Sequence, residues 1–305
     1  MRRLILVYNR RSANFWRVER SVLAQVRELK GWAVGKFEVA DTDVDDNAGR
    51  LAKVLADGDL VIAAGGDATA TIVVNAAMLT KAQDVRVGVL GYGNFNDTAR
   101  CFGDLKLEEV LKGETQEVWP LECRVNGEHW RYGMCYFTVG MFAEACAVFD
   151  HPRTRKHLQK RRKKHMTFSL LVLAQWWFRQ RKRHFLPEFS LGNSSDEYIA
   201  SKGESDYMAV NGVSVAKIMR GRKWFLQDSY FLSTTGALTK FFALVGFMLK
   251  SMLRRVPGTE SDLDRIIFAK PAKVMLQAEG EYQKMSDVKV IEVKKAAKPL
   301  LVVMK

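Results

Sequence analysis

The chain of 305 residues is 48% hydrophobic and 27% charged, with a formal net charge of +14. That length suits two domains with separate cores, and the composition excludes a disordered or low-complexity polypeptide. No apolar run reaches the roughly 18 to 20 residues needed to cross a bilayer. The basic and apolar start, 1–8, is too short for a signal sequence and ends at Asn9-Arg10-Arg11. Cys101, Cys123, Cys135 and Cys146 show no CxxC pairing or metal-ligand spacing, so they are expected to be reduced core thiols of a cytosolic protein.

In chain order, residues 4–8 predict a first strand and 9–14 a polar loop. A helix is expected over 18–30, with Val18, Val22, Leu23, Val26 and Leu29 on one side and Gly31 as its stop. A second strand (32–40), an acidic loop (41–46) and a helix over 47–56 follow. Residues 60–64 are a continuous apolar run, the pattern of a strand buried on both faces. This run leads into Gly65, Gly66, Asp67, Ala68 and Thr69. A helix comes next, with Ile72, Ala76 and Leu79 on its apolar side and Thr69 able to cap it. A glycine turn feeding a helix N-terminus is a natural phosphate site, and a carboxylate beside it can hold Mg²⁺. An ordinary strand-to-helix turn, with Asp67 bonding its own backbone, has the same sequence. A fourth strand (85–90) precedes a second glycine loop, Gly91 to Arg100. Alternating strands and helices predict a doubly wound parallel α/β sheet. Sites in such sheets lie beyond the carboxyl ends of the strands, so the loops at Asn9, Thr42, Gly65 and Gly91 can share one cleft.

Near Gly113 the pattern changes. Residues 115–140 read as strands, with Asn126-Gly127 as a hairpin turn. Further strands are predicted over 189–191, 206–215, 224–232, 266–278 and 288–293. An apolar helix over 236–255 either lines a lipid-tail pocket or fills the core. A last strand, 299–304, is placed to return to the first domain. The expected division is an α/β domain over 1–113 with 296–305, and a β-rich domain over 114–295 with inserted helices.

Between Asp150 and Glu188 lie twelve Lys or Arg and no acidic residue. They flank an apolar, aromatic stretch, 168–178, that is too short to span a membrane. Cations around aromatic ends suit an anionic membrane surface, and the insertion 151–187 is expected to dock there. A solvated basic helix and a nucleic-acid surface are the alternatives.

Asn9 to Ala13, Gly65 to Thr69, Gly91 to Arg100 and Glu279-Gly280-Glu281 occur in the order of the motifs of the diacylglycerol-kinase and sphingosine-kinase-like lipid kinases. The chain resembles the soluble bacterial members of that family over almost its whole length. Thr42, six residues before Ala48, matches the family's nucleotide-binding threonine. The resemblance implies a nucleotide-binding α/β domain, a C-terminal β-sandwich and a site between them. It implies ATP and Mg²⁺ as cofactors and a lipid alcohol as acceptor. It also implies work in the cytoplasm at the inner membrane face, with no nucleic-acid partner. The chain departs from the family pattern at Arg10 and Ala13 (usually Pro and Gly), Ala68 (Gly), Glu279 (Asp) and Asp228-Ser229 (Asp-Gly). If position 68 needed φ > 0, alanine there would cost about 1 kcal/mol.

On that resemblance, ATP would contact Asn9, Thr42, Gly65, Gly66, Asp67, Ala68, Thr69, Thr71, Gly91, Tyr92, Gly93 and Asn96. Asp67 would hold the catalytic Mg²⁺, Asp97 would extend its water network, and Asp228 would hold a second, structural Mg²⁺. Asn96 also suits simple helix capping, Asp228 an exposed turn, and Arg100 either a phosphate or a neighbouring carboxylate. Glu281 is the candidate general base, because a carboxylate can take an alcohol proton as the O–P bond forms. A surface turn is the plainer account of the same triplet. The expected reaction is transfer of the γ-phosphate of ATP to diacylglycerol or a related lipid alcohol. An NAD kinase and an inactive membrane- or nucleic-acid-binding protein of the same fold are the competing readings.

Overall fold

The computed structural model describes residues 2–12, 14–40, 44–150, 154, 165–180, 185–192, 198–200, 204–229, 231–236, 238–261 and 265–305. Thr42 and most of the basic insertion (151–153, 155–164 and 181–184) lie outside the described residues.

The first half builds a sheet from β1 (Arg2–Tyr8), β2 (Trp32–Glu38), β3 (Leu60–Gly65) and β4 (Arg86–Gly91), all parallel. Alternation along β1 splits its side chains between two layers. Leu4, Leu6 and Tyr8 bury against helix α1, made of the consecutive segments Phe15–Val18, a π-helical Glu19–Leu23, and Ala24–Val26. Ile5 and Val7 bury on the opposite face, in the core shared with α2 (Val44–Ala52) and α3 (Asp67–Leu79). Two short helices follow β4, α4 (Asp97–Cys101) and α5 (Leu107–Lys112).

β5 (Thr115–Val118), the first of the predicted run of strands, stays in this sheet. It pairs antiparallel with β18 (Leu300–Val303), which itself pairs parallel with β4. The full order is β2-β1-β3-β4-β18-β5. The last strand therefore returns to the first sheet, as expected.

Between β5 and β18 the chain forms a ten-stranded antiparallel sheet. Its strands are β6 (Leu121–Val125), β7 (Glu128–Gly133), β8 (Tyr136–Gly140), β9 (Phe189–Gly192), β10 (Tyr198–Ala200), β11 (Asp206–Val210), β14 (Phe231–Gly236), β15 (Thr259–Ser261), β16 (Arg265–Ala278) and β17 (Glu281–Lys295). A two-stranded β12–β13 ribbon (Ser214–Val215, Met219–Arg220) stands apart. Inward residues from strands distant in the order, such as Leu121 of β6 and Phe231 of β14, share one buried cluster with Phe137, Tyr207, Leu276 and Ile291. The inserted helices are α6 (Met141–Asp150), α7 (His165–Gln180) and α8 (Phe241–Leu253). The class is α/β plus β, as the sequence predicts.

Several boundaries move for local reasons. The strand predicted over 206–215 stops at Val210, because Asn211 and Gly212 both turn their N–H groups to the carbonyl of Cys135. The strand predicted over 224–232 is a 3₁₀ turn at Trp224–Leu226, and pairing resumes only at Phe231. The helix predicted from 236 begins at Phe241, since residues up to Gly236 are held in the β11–β14 ladder. No described helix is long and apolar enough to cross a membrane.

The two domains are joined by more than chain crossings. Arg131 of β7, 4% exposed, makes a two-pronged ion pair with Asp45 of α2, Nε to Oδ1 at 3.0 Å and an Nη to Oδ2 at 2.8 Å. Asn75, buried in α3, both accepts from and donates to the backbone of Tyr132, each at 2.8 Å. These contacts fix α3, and with it the β3–α3 turn, against the second domain.

Candidate active site

The two glycine loops touch. A Cβ placed on Gly93 would come within 2.4 Å of the Gly66 Cα, and one on Gly65 within 2.4 Å of the Thr69 Oγ1. Neither Gly65, Gly66, Gly91 nor Gly93 has positive φ. Gly66 and Gly93 are therefore needed for close approach of backbone to backbone, and Gly65 and Gly91 for room beside the side chains of Thr69, Ala99 and Asn96, rather than for a left-handed turn. The N–H of Tyr92 bonds the carbonyl of Gly65 at 2.7 Å and continues the β3–β4 pairing into the loops. Ala68 lies inside α3 and away from positive φ, so alanine for the family's glycine carries no backbone strain here.

Asp67 begins α3, but its carboxylate does not cap its own helix. Oδ2 accepts the N–H of Asn96 at 2.8 Å and Oδ1 that of Thr98 at 3.2 Å. It thus caps α4 from across the cleft, where the N–H groups of a first turn lack partners. Asn96 sits at φ +57 and closes its own turn, its Oδ1 accepting from the N–H of Gly93 at 2.6 Å. Burial, followed by the neighbouring charges of Asp97 and Glu279, pushes the Asp67 carboxyl up to about 7, against the two backbone bonds.

Asp97 is buried and is claimed by the second domain. Its Oδ1 accepts from the Ser214 hydroxyl at 2.5 Å and from the N–H of Lys217 at 2.9 Å. Ala216 and Lys217 both adopt positive φ to present this turn. Arg100 pairs with the same carboxylate at 3.3 Å, so the neighbouring-carboxylate alternative holds for it. Burial raises the Asp97 pKa despite these donors.

Glu279 is the residue that sequence reasoning undervalued. With Gly280 it forms the two-residue turn of the β16–β17 hairpin, at φ +51 and +92. Both central residues of a type I′ turn need φ > 0, which suits Asn or Asp at the first position better than Glu. Yet Glu279 is 2% exposed. One carboxylate oxygen accepts from the backbone N–H of Cys135; the other accepts from the hydroxyls of Thr71 and Thr98, each at 3.2 Å. Burial pushes its pKa up to about 7, although every one of these donors favours the charged form. The one available signal was a glutamate where a tight hairpin prefers aspartate. It pointed to a side chain needed for its reach.

The remaining predicted residues fall as follows. The Asn9 side chain accepts from the N–H of Arg11 at 2.9 Å and so shapes the first loop. Tyr92 turns to α1, its hydroxyl 2.9 Å from that of Ser21 and its ring under Arg17. The Thr71 hydroxyl faces Glu279 and its own helix backbone rather than the loop surface. Thr69 is buried under Gly65. Glu281 opens β17 opposite Ala278 and is partly exposed. Asp228 is exposed, and the cation near it is Lys295. The Lys295 amine donates to the Asn211 side chain, and at 2.8 Å to the carbonyl of Trp224.

Among the described residues, no three His, Cys, Asp or Glu side chains form a complete metal cage. Mg²⁺ does not require one, because it keeps several waters and takes one or two carboxylates beside substrate phosphates. Asp67 and Asp97 fit that role: both carboxyls lie in the first turns of helices and burial holds both above their usual pKa, with the charge of Asp97 adding to the rise at Asp67, which a dication would relieve.

Residues 3–119 match the family model described as the diacylglycerol kinase catalytic domain. No curated protein matches the sequence. Among solved structures, one provisionally named a diacylglycerol kinase, from Bacillus anthracis str. Sterne, superimposes with a TM-score of 0.67 at 12% identity, covering 100% of this chain and 97% of that one. Another named a diacylglycerol kinase from the same organism gives 0.65 over the same shares, also at 12% identity. The diacylglycerol kinase catalytic-domain model thus covers the first domain of this chain, and the fold is similar to that of these structures from end to end.

Proposed function

We propose that the chain is an ATP- and Mg²⁺-dependent lipid kinase. It transfers the γ-phosphate to the hydroxyl of diacylglycerol or a related lipid alcohol, giving phosphatidic acid or an analogue. The observation that carries this reading is the meeting of Asp67, Asp97 and Glu279 where two glycine loops and the second domain converge. Phosphoryl transfer requires mainly positioning and charge neutralisation, and this site is built for both. Backbone N–H groups of the glycine loops receive the phosphates, and Asp67 with Asp97 would hold Mg²⁺, which neutralises phosphate charge when bound. The acceptor hydroxyl gives its proton to Glu281 as the new O–P bond forms. The bond from the γ-phosphorus to the β–γ bridging oxygen breaks, and ADP leaves. Glu281 takes this role because it is partly exposed, whereas Glu279 is sealed behind Thr71 and Thr98 and holds them in place.

A second reading is a binding protein that kept the fold. Its specific support is Asp97, whose Oδ1 is already engaged by Ser214, Lys217 and Arg100. One assay separates these readings: labelled ATP and Mg²⁺ offered with diacylglycerol micelles, a sphingoid base or NAD. Label in phosphatidic acid supports the first. Transfer to no acceptor, with nucleotide binding retained, supports the second.

A further inference from the structure

Helix α8 presents an apolar stripe to the outside. Phe242 is 86% exposed, Val245 36%, Leu249 51%, Met252 43% and Leu253 74%. At 100° per residue these five occupy roughly 100° of the helix circumference. The opposite side carries Phe247, buried and stacked near Phe142 of α6, and Ser251, fully buried. The stripe is therefore the outer face of an anchored helix, not a core face left open by a missing turn. Core filling accounts for the buried side of α8 but not for this stripe.

Along the chain, the charge flanking the stripe has one sign. From Asp228 to Glu260 the chain has no acidic residue and four cations, Lys240, Lys250, Arg254 and Arg255. Lys240 precedes the helix, Lys250 lies on its flank, and Arg254 and Arg255 close it; all four are exposed. Helix α7 lies nearby, since the Trp177 indole N–H donates to the carbonyl of Leu238, just ahead of α8, at 3.1 Å. It adds Leu171, 62% exposed, and Phe178, 54% exposed. A protein partner would balance these cations with acidic groups of its own. An apolar stripe bordered by cations matches a bilayer with acyl chains below an anionic headgroup layer.

We propose that α8 is a membrane-docking helix. It lies in the plane of an anionic leaflet, with Val245, Leu249 and Leu253 below the headgroups and Lys250, Arg254 and Arg255 among them. Leu171 and Phe178 of α7 extend the contact. Docking does not depend on the phosphotransfer reading, so its test needs neither nucleotide nor acceptor.

The test is co-sedimentation of the full chain with vesicles of mixed phosphatidylglycerol and phosphatidylcholine, and with pure phosphatidylcholine. The wild type is expected to sediment with the mixed vesicles, and much less with the neutral ones. The double variant Leu249→Gln/Leu253→Gln is expected to bind about tenfold more weakly while melting at the same temperature. Lys250→Glu/Arg254→Glu, which leaves the apolar stripe intact, is expected to lose the preference for anionic lipid. Equal binding by wild type and the leucine variant overturns the proposal. So does a wild type that binds neither vesicle, and so does a wild-type dimer that binds no vesicle and becomes monomeric in the leucine variant.

Discussion

The hydroxyl of Thr98, in the first turn of α4, donates to the carboxylate of Glu279 at 3.2 Å. This bond ties the hairpin turn of the second domain to the loop that carries Asp97. The Thr71 hydroxyl donates to the same oxygen from α3. One buried carboxylate thus ties the two halves of the cleft together.

The protonation of that carboxylate gives the metal-free chain an inverse pH dependence. The Glu279 pKa moves from 4.5 to about 7 on folding, and Asp67 rises from 3.8 to about 7. Between these values the folded chain binds more protons than the unfolded one, so stability falls as pH rises through that window and the loss is complete above it. Metal-free protein is expected to be more stable near pH 5.5 than near pH 8, by about 2 kcal/mol from Glu279. Glu279→Gln is expected to flatten this slope in thermal melts. A slope unchanged in that variant places the buried proton elsewhere.

Glu281→Ala is expected to lower kcat by about 10²- to 10⁴-fold with nucleotide affinity unchanged. Turnover measured beside calorimetric binding of ATP checks this. Glu279→Gln retains an acceptor for the two threonines and is expected to lose far less. Were Glu279→Gln the more damaging change, the proton acceptor would be the buried residue.

Asp67→Asn keeps the side-chain shape but leaves one oxygen where two accept backbone N–H groups. The lost cap is expected to cost about 1 kcal/mol. Mg²⁺ with ATP is expected to raise the melting temperature of the wild type by mass action. That rise is expected to vanish in Asp67→Asn, as read by thermal shift with and without chelator.

Lys295 produces the opposite slope in the alkaline range. Burial lowers its pKa from 10.5 to about 7, against the raising influence of Asp228. Between those values the unfolded chain binds the extra proton, so stability rises with pH. Lys295→Met is expected to abolish that rise in denaturant titrations above neutral pH. A rise that survives in Lys295→Met assigns it to another amine.

The parallel layer of the fold was open to sequence reading because β1, β3 and β4 are apolar on both faces and helices follow them at regular intervals. Asp67 was found for the same reason, since a strand, two glycines and a helix mark the place. What the acid does was less legible. Its bonds run to Asn96 and Thr98, 29 and 31 residues along the chain, and no local pattern encodes such a reach. Glu279 was obscured by its neighbours: Glu-Gly-Glu has the composition of a solvated turn, whereas contacts with the first domain and with Cys135 bury it. β5 was read with the strands that follow it because its partner, β18, lies at the far end of the chain.

That last pairing has a mechanical consequence. The chain leaves the first domain after Val118 and re-enters at Leu300, and these two residues face each other in one antiparallel ladder. Both covalent crossings are therefore about 5 Å apart. A ribbon of two hydrogen-bonded strands bends readily across its face and resists shear along its length. Any opening of the cleft would have to bend this ribbon and break the bonds of Glu279 to Thr71 and Thr98.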